Sequence, residues 1–325
     1  MEEIGIVIIG RNEGDRLRAS LDSALTTKFT VVYIDSGSND SSIQIARAKN
    51  IPTLELQNNE PFTAARARNS GFKFIKELYP NIKYVQFLDG DCQLIEGWIP
   101  QGVSYLKKHW EIAIVTGDLH EMEAKETIYN NLCELEWRKD PGEIKACGGN
   151  FLIKSEPFQK LGGFKSNIIA AEEEEFCSRL RREGWKIYHL CHPMAIHNAS
   201  MHHISEWFHR SVRTGYAFAQ SLYENIEPHT KEYYSTLFWG LLFPIGVVLC
   251  WYVYGSHALD LLFLYPVLAF KIYWKKRKTW TERESIIYSI FCVIGKFPNV
   301  IGLLKYHLDR LRGKFRGTMD YKGSL

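Results

Sequence analysis

The stretch Tyr84-Val85-Gln86-Phe87-Leu88-Asp89-Gly90-Asp91 decides the reading of this chain. Tyr84–Leu88 reads as a strand, and it runs straight into an acidic glycine turn. Two carboxylates two residues apart in such a turn can aim at one cation, and a hard divalent ion with open positions can bridge to a diphosphate. Upstream the arrangement repeats: the strand Val31–Ile34 ends in Asp35-Ser36-Gly37-Ser38-Asn39-Asp40. Ile4–Ile9 is a continuous apolar run, as a strand buried on both faces requires. Between these strands lie helical patterns: Leu17, Leu21, Ala24 and Leu25; Ile43–Lys49; and Ala64–Leu78. Strands alternating with helices predict an α/β fold, a mostly parallel sheet flanked by helices, with ligands beyond the carboxyl ends of the strands.

Composition removes other classes. Forty basic against 37 acidic side chains leave a charge of +3, too small to mark nucleic acid as the partner. A hydrophobic share of 46% excludes a disordered chain. No Gly-x-Gly-x-x-Gly follows the first strand and no P-loop occurs, which counts against a dinucleotide enzyme and a P-loop ATPase. Seven scattered cysteines with no close pair fit a reducing compartment. The opening Met1-Glu2-Glu3-Ile4-Gly5 carries acids where a secretory signal carries bases, so the start of the chain is expected in the cytoplasm.

Near residue 236 the composition changes. Leu237–Gly255 has no charge and is close to the ~20 residues that cross a bilayer core. Ala258–Trp274 is nearly as apolar, and Gly255-Ser256-His257 between them allows only a tight hairpin. Lys275-Lys276-Arg277-Lys278 favours the cytoplasmic side. Ile286–Leu304 is a third apolar stretch interrupted by Lys296 and Pro298; a crossing, a re-entrant segment and a surface helix all fit it. The tail 305–325 carries a basic amphipathic segment suited to an anionic lipid surface. A buried helical hairpin is the competing reading, but crowded aromatics and missing polar faces favour a membrane.

Collinear with these features run motifs that resemble those of family-2 glycosyltransferases of the GT-A fold, an inverting class that uses nucleotide-sugars. Ile6-Val7-Ile8-Ile9-Gly10-Arg11-Asn12-Glu13 resembles the opening strand and its Asn-Glu turn, and Asp35–Asp40 the loop whose first Asp reads the nucleobase. Ala67-Arg68-Asn69-Ser70-Gly71 resembles the segment that brings an Arg near the donor, and Leu88–Asp91 the metal-binding Asp-x-Asp. Gly148-Gly149-Asn150-Phe151 resembles the acceptor-side strand, and Glu172–Phe176 the Glu-Asp block, with Glu173 where the family usually has Asp. Arg210–Arg213 lacks the Gln and Trp of the processive synthases' motif, against polymer synthesis. The resemblance covers about the first 220 residues and implies a GT-A domain over 1–225, a linker over 226–236, a hydrophobic membrane hairpin and third apolar segment over 237–304, and the tail.

The implied chemistry assigns roles. Asp91 and Asp89 hold Mn2+ or Mg2+, with His203 as a further ligand. Glu173 is the base that deprotonates the acceptor hydroxyl, with Glu172 beside it. Asn12, Glu13, Asp35, Arg68 and Asp89 bind the donor. Arg210 and Arg213 can clamp its diphosphate, since guanidinium matches phosphate oxygens bidentately. Gly149, Asn150 and Trp137 lie on the acceptor side. The Glu175–Arg179 pair reads as structural. The expected enzyme is thus a membrane-attached, cytoplasm-facing glycosyltransferase moving a sugar, from UDP by preference, to a lipid or saccharide hydroxyl. A sugar-phosphate nucleotidyltransferase and a non-catalytic nucleotide-sugar-binding scaffold are the alternatives.

Overall fold

The computed structural model describes residues 3–166, 168, 170–223 and 229–313. It resolves into two compact units, Met1–Ala124 with Trp137–Ser200, and Lys125–Glu136 with Met201–Phe315.

The first unit is built on one sheet. Its strands are β1 (Ile4–Gly10), β2 (Thr30–Asp35), β3 (Thr53–Glu55), β4 (Tyr84–Asp89), β5 (Cys92–Leu94), β6 (Ile112–Glu121), β7 (Gly142–Ile144), β8 (Phe151–Lys154) and β9 (Lys186–His197). They lie in the order β3-β2-β1-β4-β8-β6-β9-β5, with β7 paired to β9. β1 is parallel to β2 and β4, β8 is antiparallel to both β4 and β6, and β6 is parallel to β9. It follows that β1, β2, β4, β6 and β9 all point one way. Their last residues, Gly10, Asp35, Asp89, Glu121 and His197, gather on one edge of the sheet, where ligands of such sheets bind. β8 runs the other way and brings Gly149-Asn150, just before its first residue, to the same edge.

The apolar runs explain the burial. Ile6 and Ile8 enter the core on one face of the sheet, Val7 and Ile9 the core on the other, so neither face of β1 meets water. The helix Ala64–Leu78 starts at Thr63, whose side chain accepts from the Arg66 N–H. Gly71 lets this helix lie directly on the strands, since a Cβ there would collide with Val7 and Ile34. That close approach is what carries Arg68, one turn earlier, to the sheet edge.

The second unit is helical. Ile204–Tyr223 packs on Lys296–Leu311, with Gly215 against the Asn299 carbonyl, Gly302 against the Val212 carbonyl and Tyr216 edge-on to Tyr306. These contacts put Ile204–Tyr223 with the C-terminal helices, so the division falls after Ser200 and not at the expected 225. The apolar region Thr230–Lys276 is helical throughout and, by length and composition alone, apolar enough to cross a membrane. It is not straight. Gly255 has φ +67°, and the Tyr265 hydroxyl donates to the Trp239 carbonyl at 2.7 Å. In a straight helix those residues would stand about 39 Å apart, so the chain folds back as the Gly255-Ser256-His257 link predicts. The returning arm begins as a 3-10 helix, Gly255–Phe263, before the α-helix Leu264–Lys276. The third apolar stretch is two helices, Glu282–Ile294 and Lys296–Leu311, bent by 40°. Most of the basic tail lies outside the described residues.

Candidate active site

The turn after β2 is held by its own side chains. Asp35 is fully buried, and its carboxylate accepts from the Tyr33 hydroxyl (2.9 Å), the Ser38 hydroxyl (2.6 Å) and the Ser38 N–H (2.7 Å). Three of its roughly four acceptor positions are thereby used on the turn itself. Asn12, at φ +54°, ties the first turn to the second: its N–H donates to Ser38 Oγ at 2.9 Å and its Oδ1 accepts from the Asn39 N–H at 2.9 Å. The Glu13 N–H donates to Ser42 Oγ at 3.1 Å, and its carboxylate pairs with Arg16 at 3.2 Å.

At the centre stands Arg68, its side chain only 3% exposed. It makes ion pairs with Asp89 (3.0 Å), Glu172 (3.1 Å) and Glu173 (3.0 Å). Burial works against its charge, but the carboxylates of Glu173, Asp89 and Glu172 outweigh this and hold it protonated. One guanidinium cannot balance three carboxylates. Accordingly Glu173 is pushed up to about 8, by burial first and by Glu172 second, with Arg68 pulling the other way. Gly149 passes so close that a Cβ there would strike the Asp89 carboxylate and Arg68. Asn150 fastens the turn: its Oδ1 accepts the Asp89 N–H at 2.8 Å and its Nδ2 donates to Cys92 Sγ at 3.2 Å. The four glutamates divide as helical geometry demands. Glu172 and Glu175 are buried, and Glu175 holds Arg179 at 2.8 Å, the expected structural pair.

Asp91 faces a second group. His197 Nε2 lies 3.3 Å from Asp91 Oδ2, and His197 Nδ1 lies 2.9 Å from Glu121 Oε2. Burial lowers the affinity of His197 for a proton, but Asp91 and Glu121 outweigh it and raise it to about 9. Glu121 Oε1 accepts from the Ala199 N–H at 2.9 Å, and the Trp137 ring stands edge-on to His197 with centroids 4.7 Å apart. Asp91, Cys92 and His197 each offer one ligand atom, all within 4.8 Å of one another. This donor set fits a divalent cation.

The histidine that reaches Asp91 is therefore His197, where His203 was expected. His203 belongs to the second unit, and its N–H donates to Glu206 at 2.7 Å. Arg210 is in that unit too, paired with Glu136 at 2.7 Å, and Arg213 follows it on the same helix. Sequence reasoning missed Glu121 and passed over His197. Both are strand ends, the signal that identified Asp35 and Asp89.

A one-way array of strands ending in carboxylates, with an Asp-Gly-Asp turn and a buried Arg and Glu pair beside it, is the architecture of the GT-A fold. Residues 5–162 match the family described as glycosyl transferase family 2. The chain is 32% identical over 97 residues to the uncharacterized glycosyltransferase YibD of Escherichia coli, a match covering 28% of this chain and 27% of that protein. It is 20% identical over 208 residues to the glycosyltransferase AglE of Haloferax volcanii, covering 58% of this chain and 66% of that one. The matches thus span about a quarter and just under two thirds of these relatives. In fold the chain is similar to a mannosyltransferase of Pyrobaculum calidifontis solved with GDP-Man and Mn2+, with a TM-score of 0.64 at 16% identity over 95% of this chain and 88% of that one.

Proposed function

We propose that the chain transfers a sugar from a nucleotide-sugar to a hydroxyl group, with inversion at the anomeric carbon. The observation that carries this reading is the convergence, on one sheet edge, of the Arg68–Asp89–Glu172–Glu173 cluster and the Asp91–His197 pair. Asp91 and His197, with Asp89 beside them, would hold the divalent ion. That ion supplies charge neutralisation for the departing diphosphate. Arg68 keeps the carboxylates of Asp89 and Glu173 in fixed register. Glu173, with a proton affinity far above that of an ordinary carboxylate, accepts the acceptor's hydroxyl proton as the oxygen attacks. One displacement on the face opposite the leaving group inverts the anomeric centre. Asn12 and the buried Asp35 shape the nucleoside turn. Gly149 leaves room for backbone close to the sugar, and Trp137 and Asn150 border the acceptor. A UDP or GDP donor fits, and Mn2+ or Mg2+ fits the ion.

The acceptor is proposed to be a lipid or lipid-linked saccharide at a bilayer, with the catalytic domain on the cytoplasmic side. The support is the apolar fold-back of the second unit, where Val248, Leu249, Tyr252, Val253 and Phe263 are all more than 60% exposed, more apolar surface than soluble chains leave uncovered. Purified protein given a panel of UDP-, GDP- and dTDP-sugars with Mn2+ should hydrolyse or transfer one of them. Asp91→Ala and Glu173→Gln should abolish or nearly abolish that turnover while circular dichroism shows the fold retained. Undiminished turnover in both variants overturns the reading.

A further inference from the structure

Asp91 and His197 are joined by a third donor that the transfer reaction does not use. Cys92 is the residue after the Asp-Gly-Asp turn and the first of β5, and its Sγ lies 3.6 Å from Asp91 Oδ1. β5 and β9 pair so that Cys92 sits directly opposite His197, and β6 and β9 so that Glu121 does too. The sheet register therefore places carboxylate, thiol and imidazole together, with a second carboxylate behind the imidazole.

We propose that Asp91, Cys92 and His197 form a three-ligand site for Zn2+, which competes with the harder ion of the transfer reaction for Asp91. A tetrahedral ion with bonds of about 2.0–2.3 Å holds its ligand atoms about 3.3–3.7 Å apart. His197 Nε2 lies 3.3 Å from Asp91 Oδ2 and Cys92 Sγ 3.6 Å from Asp91 Oδ1, and one donor atom from each of the three residues lies within 4.8 Å of the other two, so a small turn of the Asp91 carboxylate brings the set to that spacing. Oxygen, nitrogen and sulfur donors in one set select a borderline-soft ion over Mn2+ or Mg2+. Glu121 holds His197 Nδ1 at 2.9 Å, which presents Nε2 to the ion, the carboxylate–histidine arrangement usual behind zinc. Asn150 Nδ2 donates to Cys92 Sγ at 3.2 Å and stabilises the thiolate. On binding, Cys92 releases its thiol proton and His197 its Nε2 proton to solvent, and the fourth position is left to water or a phosphate oxygen. The competition rests on the transfer reaction proposed above; the site does not.

The full chain loaded with Co2+ as a zinc surrogate tests this. We expect a near-ultraviolet thiolate-to-cobalt band that one equivalent of Zn2+ removes. Cys92→Ser should lose the band and at least tenfold in zinc affinity, measured by chelator competition, yet still bind Mn2+ by electron paramagnetic resonance. Glu121→Gln should keep the band and lose about 10–100-fold in zinc affinity. In wild type, bound Co2+ without the thiolate band overturns the proposal whatever the variants do, as does equal zinc affinity in Cys92→Ser. Mn2+-dependent transfer without the band sinks the zinc site alone; the band without any metal-dependent transfer sinks the transfer reaction alone.

Discussion

Leu88 and Leu249 are the same residue under opposite rules. Leu88, in β4, has no exposed surface, whereas Leu249, in the apolar fold-back, is 63% exposed. In the first unit most apolar residues of the strands are taken up by one of two cores, and Asp35, Asp89, Glu121 and His197 stand at the strand ends. In the helices from Phe243 to Lys276 the proportions reverse: only Val247 and Ala258 are buried, while Trp251, Tyr252, Tyr254 and Phe270 stand out. The lesson is that hydrophobicity in the first unit answers to the packing of this chain, whereas most of that in the apolar fold-back is turned outward.

The contrast breaks most widely at the level of chemistry. Glu173→Gln should lower transfer by about 10²–10⁴-fold, the usual worth of a positioned base. Leu249→Glu should leave transfer to a water-soluble acceptor unchanged and abolish sedimentation with lipid vesicles. Stability comes next. Leu88→Ala should cost about 2–5 kcal/mol in denaturant unfolding, and Leu249→Ala no more than about 0.5 kcal/mol; equal costs would erase the distinction. Within the second unit, Gly302→Ala drives a methyl group into the Val212 carbonyl. It should destabilise that unit by about 1–3 kcal/mol, seen as faster hydrogen exchange in 204–223 and 296–311 with the strands unaffected. The smallest effect is a slope. Glu173 keeps its proton to a higher pH when folded than when unfolded, by burial first and Glu172 second. The folded state therefore binds more protons between about 4.5 and 8, and the stability from this group falls as pH rises through that window. Glu173→Gln should flatten the slope.

Much of this was legible in the residues. The strand Ile4–Gly10 and the helix Ala64–Leu78 announce themselves because uninterrupted apolar runs and helical spacing are local signals. Asp89 and Asp91 follow at once from the strand that precedes them. β6 and β9 were harder: Thr116, Gly117 and Asp118 interrupt the first, and His189, His192 and Pro193 the second. A strand that takes polar residues into its interior hides its own end, and with it Glu121. Thr116 and Asp118 each bond the buried His189, at 3.0 and 3.1 Å, which accounts for the interruption. The boundary after Ser200 was illegible for another reason. An amphipathic helix such as Ile204–Tyr223 fits a sheet or other helices equally well, and only the close contacts at Gly215 and Gly302 decide.

Asn150 has a consequence for how the Asp-Gly-Asp turn can vary. Its amide spans the turn like a caliper, one jaw accepting from the backbone of Asp89 and the other donating to the sulfur of Cys92. Aspartate at that position has no donor for the second jaw, and leucine has neither. A drifting sequence would therefore lose the calibrated gap between its two acidic side chains while the sheet behind them still folded.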